Sequence, residues 1–292
     1  MAILPFYRES GGGPAVVCLH ANASSSRQWL PLMEYLAPRY HVLAADLYGA
    51  GKSPAWAEER PLTLRDELAL LEPVFARARG PVTIVAHSYG AAVALIAAIE
   101  HPERVHALAI YEPTLFSLVA AESPPPNDLD GFRAALAETA MAVEAGDAVA
   151  AARHFVDYWS GAGVFEQMPE ARQGQVASSM VNIAGWAQAL LSEPTPLRAF
   201  SWLGAPVLFM VGKDSPASSR GVARLLSRTL PRAHIVEFEG LGHMGPVTHP
   251  ELVNAVISHF LDRHRPFHRS DLLRFGALPP RIESSAGGAA SA

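Results

Sequence analysis

Six short runs of apolar residues recur along the chain, and segments with helical periodicity separate them. The runs are continuous rather than alternating, which is typical of parallel strands that are covered on both faces. Strands that alternate with helices predict right-handed crossovers. The expected fold class is therefore α/β, with an open, mostly parallel sheet flanked by helices. The predicted strands are residues 15–19, 41–45, 82–86, 107–111, 207–211 and 234–238.

The alternation of strands and helices stops between the fourth and fifth runs. Residues 115–202 contain no convincing strand, but Phe132, Leu136 and Ala140 recur at helical spacing. Open α/β sheets bind ligands at the carboxyl ends of their strands, so this insertion is expected to form a helical cap there. The predicted organisation is an α/β core over residues 1–114 and 203–265, a helical cap over 115–202 and a flexible tail over 266–292.

Composition and charge limit the function classes. Of the 292 residues, 50% are hydrophobic and 17% are charged, which favours a large folded core over disorder. The net charge of −5 gives no indication of a nucleic-acid partner. Residues 1–9 lack the pattern of a secretion signal, and no segment is long and apolar enough to predict a membrane span. We expect a cytoplasmic protein, monomeric or homodimeric, that binds neither nucleic acid nor membrane.

Ser88 directly follows the third apolar run and precedes a helical segment. In Ala86-His87-Ser88-Tyr89-Gly90, the residues two positions before and two positions after the serine are small, as a tight strand-to-helix turn requires. Such a turn exposes the hydroxyl group, and the amino end of the following helix favours negative charge that develops nearby. We therefore predict that Ser88 is a nucleophile that attacks a carbonyl carbon.

A serine nucleophile needs a base, and the base needs a third group that orients it. His243, in the glycine-rich loop after the sixth run, is the predicted base. Asp214, after the fifth run, is the preferred acid, because the order Ser, Asp, His accompanies this type of turn. Glu112, at the end of the fourth run, is the alternative acid. No spacing of histidines, cysteines or carboxylates suggests a metal site.

Two backbone N–H groups are expected to stabilise the oxyanion that forms during the attack. The N–H of Tyr89 is one candidate, because this residue directly follows the nucleophile. The second is the N–H of Asn22, in the loop after the first run. Loss of one such donor typically lowers turnover by about 10²–10³-fold.

Five motifs lie at or near the ends of the predicted strands. They are His20-Ala21-Asn22, residues 46–53, the turn at Ser88, Gly212-Lys213-Asp214 and Gly242-His243. Their order and content resemble the α/β-hydrolase superfamily over residues 14–261, although Ala21, Ala86 and Ala91 stand where the family commonly has glycine. The resemblance implies an α/β-hydrolase fold, a serine nucleophile, no cofactor and a pocket under a cap. The chain before the first run is short, so the outermost N-terminal strand or strands of the family are expected to be missing.

A small-molecule carboxylic ester is the expected substrate, because its hydrolysis needs no group beyond those named above. The apolar side chains of the cap suggest that the acyl or alcohol part is apolar. In the family that the chain resembles, similar machinery also cleaves carbon–carbon bonds, thioesters or lactones, or forms peracids, and these reactions stay open. An alternative of another class is a ligand-binding protein that has the fold but does not catalyse.

Overall fold

A seven-stranded sheet forms the centre of the structure, a computed structural model that describes residues 3–265. The strands are β1 (Tyr7–Ser10), β2 (Ala15–Leu19), β3 (His41–Ala45), β4 (Val82–His87), β5 (Val105–Tyr111), β6 (Val207–Gly212) and β7 (Ala233–Phe238). Their order across the sheet is β1-β3-β2-β4-β5-β6-β7, and all neighbours except β1 and β3 are parallel. Strands β2, β4 and β6 are buried throughout, which accounts for their continuous apolar sequences. The predicted fold class is confirmed.

The antiparallel edge strand β1 is absent from the sequence-based prediction. Its four residues are mostly polar and partly exposed, so no apolar run marks them. The strand pairs with β3, with Tyr7 opposite Ala45 and Ser10 opposite Val42. It thereby covers an edge of the sheet whose backbone groups would otherwise lie unpaired. One strand therefore does precede the first predicted run.

Twelve α-helices are present within the described part of the chain. They are α1 (Leu30–Leu36), α2 (Leu64–Ala78), α3 (Tyr89–Glu100), α4 (Phe116–Glu122), α5 (Asp130–Glu144), α6 (Ala148–Ser160), α7 (Val164–Gln167), α8 (Glu170–Ser179), α9 (Ile183–Leu191), α10 (Ala217–Thr229), α11 (Gly245–Thr248) and α12 (Pro250–Arg263). Helix α2 begins at a capping box, in which Thr63 and Asp66 each bond the other's backbone N–H. Helix α3 is buried along nearly its whole length, as its apolar sequence requires.

Helices α4 to α9 form the predicted helical insertion, which lies between β5 and β6. Aromatic side chains join its helices near the carboxyl end of β5. The ring centroid of Phe116 lies 4.3 Å from that of Phe132 and 6.3 Å from that of Trp159. None of the helices in residues 3–265 has the length and apolar character needed to cross a membrane. The tail predicted over residues 266–292 lies outside the described residues.

Candidate active site

Ser88 is the single residue between strand β4 and helix α3. Its backbone angles are φ 57° and ψ −116°, a region that residues with a side chain rarely adopt. The N–H of Ser88 donates to the carbonyl of Tyr111 at 2.9 Å, and its carbonyl accepts from the N–H of Ala92 at 3.0 Å. These bonds to β5 and α3 hold the serine in a strained turn, of the kind that is concentrated at functional sites.

Glycine is required two residues after the serine. A Cβ atom at Gly90 would lie 2.6 Å from the carbonyl oxygen of His20 and 2.7 Å from the carbonyl group of Leu19. The N–H of Gly90 donates to that same His20 oxygen at 3.2 Å, so the two backbone segments are in close contact. Ala86, two residues before the serine, is fully buried between Leu19 and Ile110 in the sheet. The turn therefore accommodates alanine on its strand side but not on its helix side.

His243 lies in the loop between β7 and α11, and its ring is almost fully buried. Nε2 of the imidazole lies 2.9 Å from Oγ of Ser88. Two side chains fix the backbone of this loop: the hydroxyl of Tyr111 donates to the carbonyl of Gly242, and Nε2 of His87 donates to that of His243, each at 2.8 Å. The imidazole thus lies within the distance at which a base can accept the serine proton.

Glu112, directly after β5, contacts the other imidazole nitrogen. Its Oε2 lies 2.6 Å from Nδ1 of His243, and the two side chains are only 0% and 2% exposed. Oε1 accepts hydrogen bonds from the N–H of Gly212 at 2.7 Å and from the hydroxyl of Ser215 at 2.5 Å. A proton shared between Nδ1 and the carboxylate leaves Nε2 free to accept the proton of Ser88.

In this geometry the alternative acid, Glu112, contacts His243, and the preferred acid, Asp214, does not. Asp214 is exposed, and it contacts the His243 loop through its backbone N–H, which donates to the carbonyl of Leu241 at 3.0 Å. The loop after β6 instead contributes Gly212 and Ser215, which hold the Glu112 carboxylate. The physical reason is side-chain length. The glutamate side chain is longer than that of aspartate and brings its carboxylate from the end of β5 to Nδ1 of His243, so a carboxylate from the next loop is not needed.

The two N–H groups predicted to stabilise the oxyanion belong to residues close to Ser88 in the cavity or along the chain. Asn22 lies in the loop after β2 and lines the same cavity as Ser88. Tyr89 is the first residue of α3, so its N–H has no partner within the helix. Neither N–H donates a hydrogen bond to any other residue of the described range 3–265. By contrast, the N–H of Ala21, which precedes Asn22, donates to the side-chain oxygen of Gln28 at 3.2 Å.

Two buried histidines brace the loops around the site without contacting Ser88 Oγ. His87, whose Nε2 holds the His243 carbonyl, accepts at Nδ1 from the amide of Gln28 at 3.1 Å. His20 donates from Nδ1 to a neighbouring carbonyl at 2.7 Å and accepts at Nε2 from a backbone N–H at 3.1 Å. Burial lowers the pKa of both imidazoles, that of His87 well below its ordinary value. Both rings are therefore neutral, and each has one nitrogen that donates and one that accepts.

The site opens into a cavity between the sheet and the helical insertion. Trp159 of α6 lies on the imidazole of His243, with ring centroids 4.2 Å apart and an interplanar angle of 30°. Among the residues that the structure describes, the buried hydroxyl of Thr114 has no hydrogen-bond partner. Arg172 of α8 also lines the cavity. The rest of the wall is largely apolar and includes Phe116, Phe132, Phe155, Met168, Ile183 and Leu190.

Several residues of this site have no clear signal in the sequence. Ser215 holds Glu112, and Oγ of Ser219, in the first turn of α10, lies 3.2 Å from Nδ1 of His243, but single serines follow no pattern in the sequence. Trp159 is one of several aromatic residues in the insertion. The sequence marks Arg172 only weakly, because no acidic residue stands three or four positions before or after it to form an ion pair. These positions are occupied by Met168, Pro169, Gln175 and Val176.

A fully buried carboxyl group, that of Glu67 on α2, lies behind the serine turn. It accepts hydrogen bonds from the N–H of Tyr48 and from the hydroxyl of Tyr89, each at 3.0 Å. Burial disfavours the charged form and raises the pKa of Glu67 to about 8, although these hydrogen bonds act in the opposite direction. Because Tyr89 directly follows Ser88, the hydroxyl of Tyr89 connects the titratable carboxyl group of Glu67 to the serine turn.

We expect the Glu67→Gln variant to lose part of the pH dependence of folding stability. The carboxyl has its ordinary pKa of 4.5 when unfolded and a pKa of about 8 when folded. Stabilisation that is complete below pH 4.5 is therefore lost as the pH rises to 8. One pKa unit corresponds to about 1.4 kcal/mol, so the wild type should lose a few kcal/mol that the neutral glutamine does not. Urea unfolding across this pH range measures the difference.

The exposed Glu59 supplies the matched control, because Glu59→Gln removes the same charge at the surface. This control should keep the wild-type dependence of the unfolding free energy on pH. Equal dependence in the wild type and in Glu67→Gln would contradict the raised pKa of Glu67.

Two curated proteins are similar to this chain over most of its length. The (E)-2-((N-methylformamido)methylene)succinate hydrolase of Acinetobacter baylyi is 24% identical over 260 residues, which cover 88% of this chain and 93% of that protein. The pimeloyl-acyl-carrier protein methyl ester esterase of Aeromonas hydrophila is 28% identical over 269 residues, which cover 86% and 96%.

The fold is also similar to that of solved structures. The crystal structure of an α/β hydrolase from Sphaerobacter thermophilus matches with a TM-score of 0.69 and 25% identity, covering 88% of this chain and 96% of that one. The sequence profile described as the alpha/beta hydrolase fold matches residues 14–250. This range extends from β2 through the insertion to the start of α12. The chain therefore belongs to the α/β-hydrolase fold family and is a hydrolase of that fold.

Proposed function

We propose that this protein hydrolyses small carboxylic esters through a covalent acyl-enzyme formed on Ser88. The observation that carries the proposal is the hydrogen-bonded chain from Ser88 through His243 to Glu112, with distances of 2.9 and 2.6 Å. All three side chains are buried, and polar interactions are stronger there than in bulk water. Ester hydrolysis requires only these three hydrogen-bonded side chains, two oxyanion donors and water.

Acylation begins when Oγ of Ser88 attacks the acyl carbon of the ester. Nε2 of His243 takes the hydroxyl proton as the new carbon–oxygen bond forms, and Glu112 stabilises the imidazolium through Nδ1–H. The N–H groups of Asn22 and Tyr89 stabilise the charge on the former carbonyl oxygen. When the intermediate collapses, the bond to the alcohol oxygen breaks and the alcohol leaves with the proton from His243.

Deacylation repeats these steps with water as the nucleophile. Nε2 of His243 removes a proton from water while the water oxygen attacks the acyl carbon. The second intermediate then breaks the bond to Oγ of Ser88, which regains the proton, and the carboxylic acid leaves. Each group ends in its starting protonation state, so no oxidant, reductant or metal enters the balance.

The Aeromonas hydrophila relative supports the ester assignment, because it is named a methyl ester esterase and is covered over 96% of its length. The apolar wall formed by Phe116, Phe155 and Leu190 supports a substrate with an apolar acyl or alcohol part. We also propose that residues 115–202 form the cap, because they provide most of that wall.

A fluorophosphonate probe and a panel of p-nitrophenyl esters test the proposal together. We expect the folded protein to hydrolyse esters and to gain one phosphonyl adduct, which peptide mass spectrometry locates at Ser88. A substrate ester in excess should slow the labelling, because both compounds compete for the same hydroxyl group. Folded protein that forms no adduct and hydrolyses none of the esters would favour the non-catalytic ligand-binding protein.

A further inference from the structure

Arg172 stands apart in the wall of the active-site cavity. Apart from the imidazole of His243, it carries the only titratable group among the described residues that line the cavity. It extends from α8 in the insertion, and its Nη2 donates to the carbonyl of Ala23 at 3.0 Å. Ala23 directly follows Asn22, so the guanidinium lies beside the loop that contributes a proposed oxyanion donor.

No carboxylate of the described range 3–265 pairs with this guanidinium. By contrast, the partly buried Arg65 pairs with Glu100 at 2.5 Å and with Glu193 at 3.0 Å. Burial lowers the pKa of Arg172. A partly buried cation without an anion is costly, so its retention in a binding cavity needs an explanation.

The hydrogen-bonding capacity of Arg172 is mostly unused. A guanidinium has five N–H donors in a planar fork, and the carbonyl of Ala23 is the one acceptor that it contacts within residues 3–265. Neighbouring cavity side chains such as Met168 and Val176 cannot supply the charge that it lacks. A carboxylate fits the fork with two parallel hydrogen bonds and also neutralises the cation.

We propose that Arg172 binds a carboxylate that the substrate carries in addition to the ester bond. The substrate class is then a carboxylate-bearing ester, such as a half-ester of a small dicarboxylic acid. Its apolar linking chain would contact the aromatic wall, while its two ends are held at Arg172 and at Ser88. This assignment rests on the proposed ester hydrolase function and narrows it.

Two pairs of esters of matched length test the proposal. Monomethyl glutarate against methyl pentanoate places the additional carboxylate on the acyl side. The acetate ester of 4-hydroxybutanoate against butyl acetate places it on the alcohol side. We expect the wild type to have the higher kcat/KM for the charged member of at least one pair, measured by pH-stat titration.

The variants Arg172→Met and Arg172→Lys are compared with Arg198→Met, which removes an exposed arginine near the end of the insertion. Arg172→Met should lower kcat/KM for the preferred charged ester by about 100-fold, mainly through KM, and for its neutral partner by at most about threefold. Arg172→Lys should fall between, because lysine retains the charge without the fork. Arg198→Met should behave as the wild type for both esters.

A role for Arg172 as a brace of the loop at Ala23 gives a different result. Arg172→Met would then lower kcat/KM for charged and neutral esters by the same factor, which would overturn the proposal. The absence of any preference in both wild-type pairs would overturn it as well.

Calorimetric titration with glutarate separates this inference from the proposed reaction. We expect glutarate to bind the wild type and Ser88→Ala, and to bind Arg172→Met about 100-fold more weakly. Glutarate binding without hydrolysis of any ester would overturn the ester hydrolase function and leave the carboxylate site standing. Hydrolysis of neutral esters without glutarate binding would overturn the carboxylate site alone.

Discussion

Replacing Ser88 with alanine should lower kcat for ester hydrolysis by about 10⁶-fold, because the serine, the imidazole and the carboxylate act as a unit. The residual rate over the uncatalysed reaction then comes from the oxyanion donors and from substrate binding. The substitution removes one oxygen atom and relieves no backbone constraint, so the fold should persist. Hydrolysis of p-nitrophenyl butyrate measures the rate, and circular dichroism during heating measures the fold.

The matched control for this prediction is Ser201→Ala, which removes an exposed hydroxyl group at the end of the insertion. It should retain full activity. A folded Ser88→Ala protein that hydrolyses the ester at a rate near that of the wild type would mean that another residue attacks the acyl carbon.

The second large effect should separate the two candidate acids. We expect Glu112→Gln to lower kcat by about 10⁴-fold, the loss seen when the acid of such a triad becomes an amide. The amide cannot stabilise an imidazolium, and it favours the wrong tautomer of His243. Its oxygen can still accept from Gly212 and Ser215, so the loops should stay in place. Asp214→Asn should leave kcat almost unchanged, because the Asp214 side chain is exposed.

The ratio of the two variants is the decisive quantity, since both substitutions exchange one carboxylate for one amide. Steady-state kinetics on a single ester, with thermal unfolding of each variant, provides it. A large loss in Asp214→Asn beside a nearly active Glu112→Gln would mean that the loops rearrange when substrate binds and that the assignment of Glu112 is wrong.

Most of the fold could be predicted because parallel strands leave a strong pattern. Strands buried on both faces require continuous apolar residues, and helices between them require a different period. The edge strand β1 lacks that requirement, since one side of it faces solvent and its residues are partly polar. The short helix α1 also has no place in the prediction, because seven residues are too few to establish a period.

The candidate site could be predicted where a residue and its local backbone are coupled. Ser88 lies in a turn that requires glycine two positions after it, and His243 lies between Gly242 and Gly245. The acid has no such local signature, since Glu112 and Asp214 each follow a strand at the same edge of the sheet. Which one reaches His243 depends on side-chain length and on loop packing, which only the folded structure contains.

The contacts between the insertion and the core could not be predicted from the sequence for a related reason. Many aromatic residues share the helical spacing of the insertion, so periodicity alone does not distinguish Trp159 from its neighbours. The position of Arg172 beside Ala23 joins residues that are far apart in the chain. Contacts of this kind are set by how α8 packs over the sheet, not by any local preference.

The positive φ of Ser88 also limits what evolution could place at this position. A second substituent on the Cβ atom would crowd the neighbouring backbone at φ 57°. Threonine, although its alcohol is chemically suited to the same attack, is therefore excluded by shape. Cysteine has an unbranched Cβ and meets the same steric demand as serine. A chain descended from this one could thus exchange oxygen for sulfur as its attacking atom more readily than a primary for a secondary alcohol.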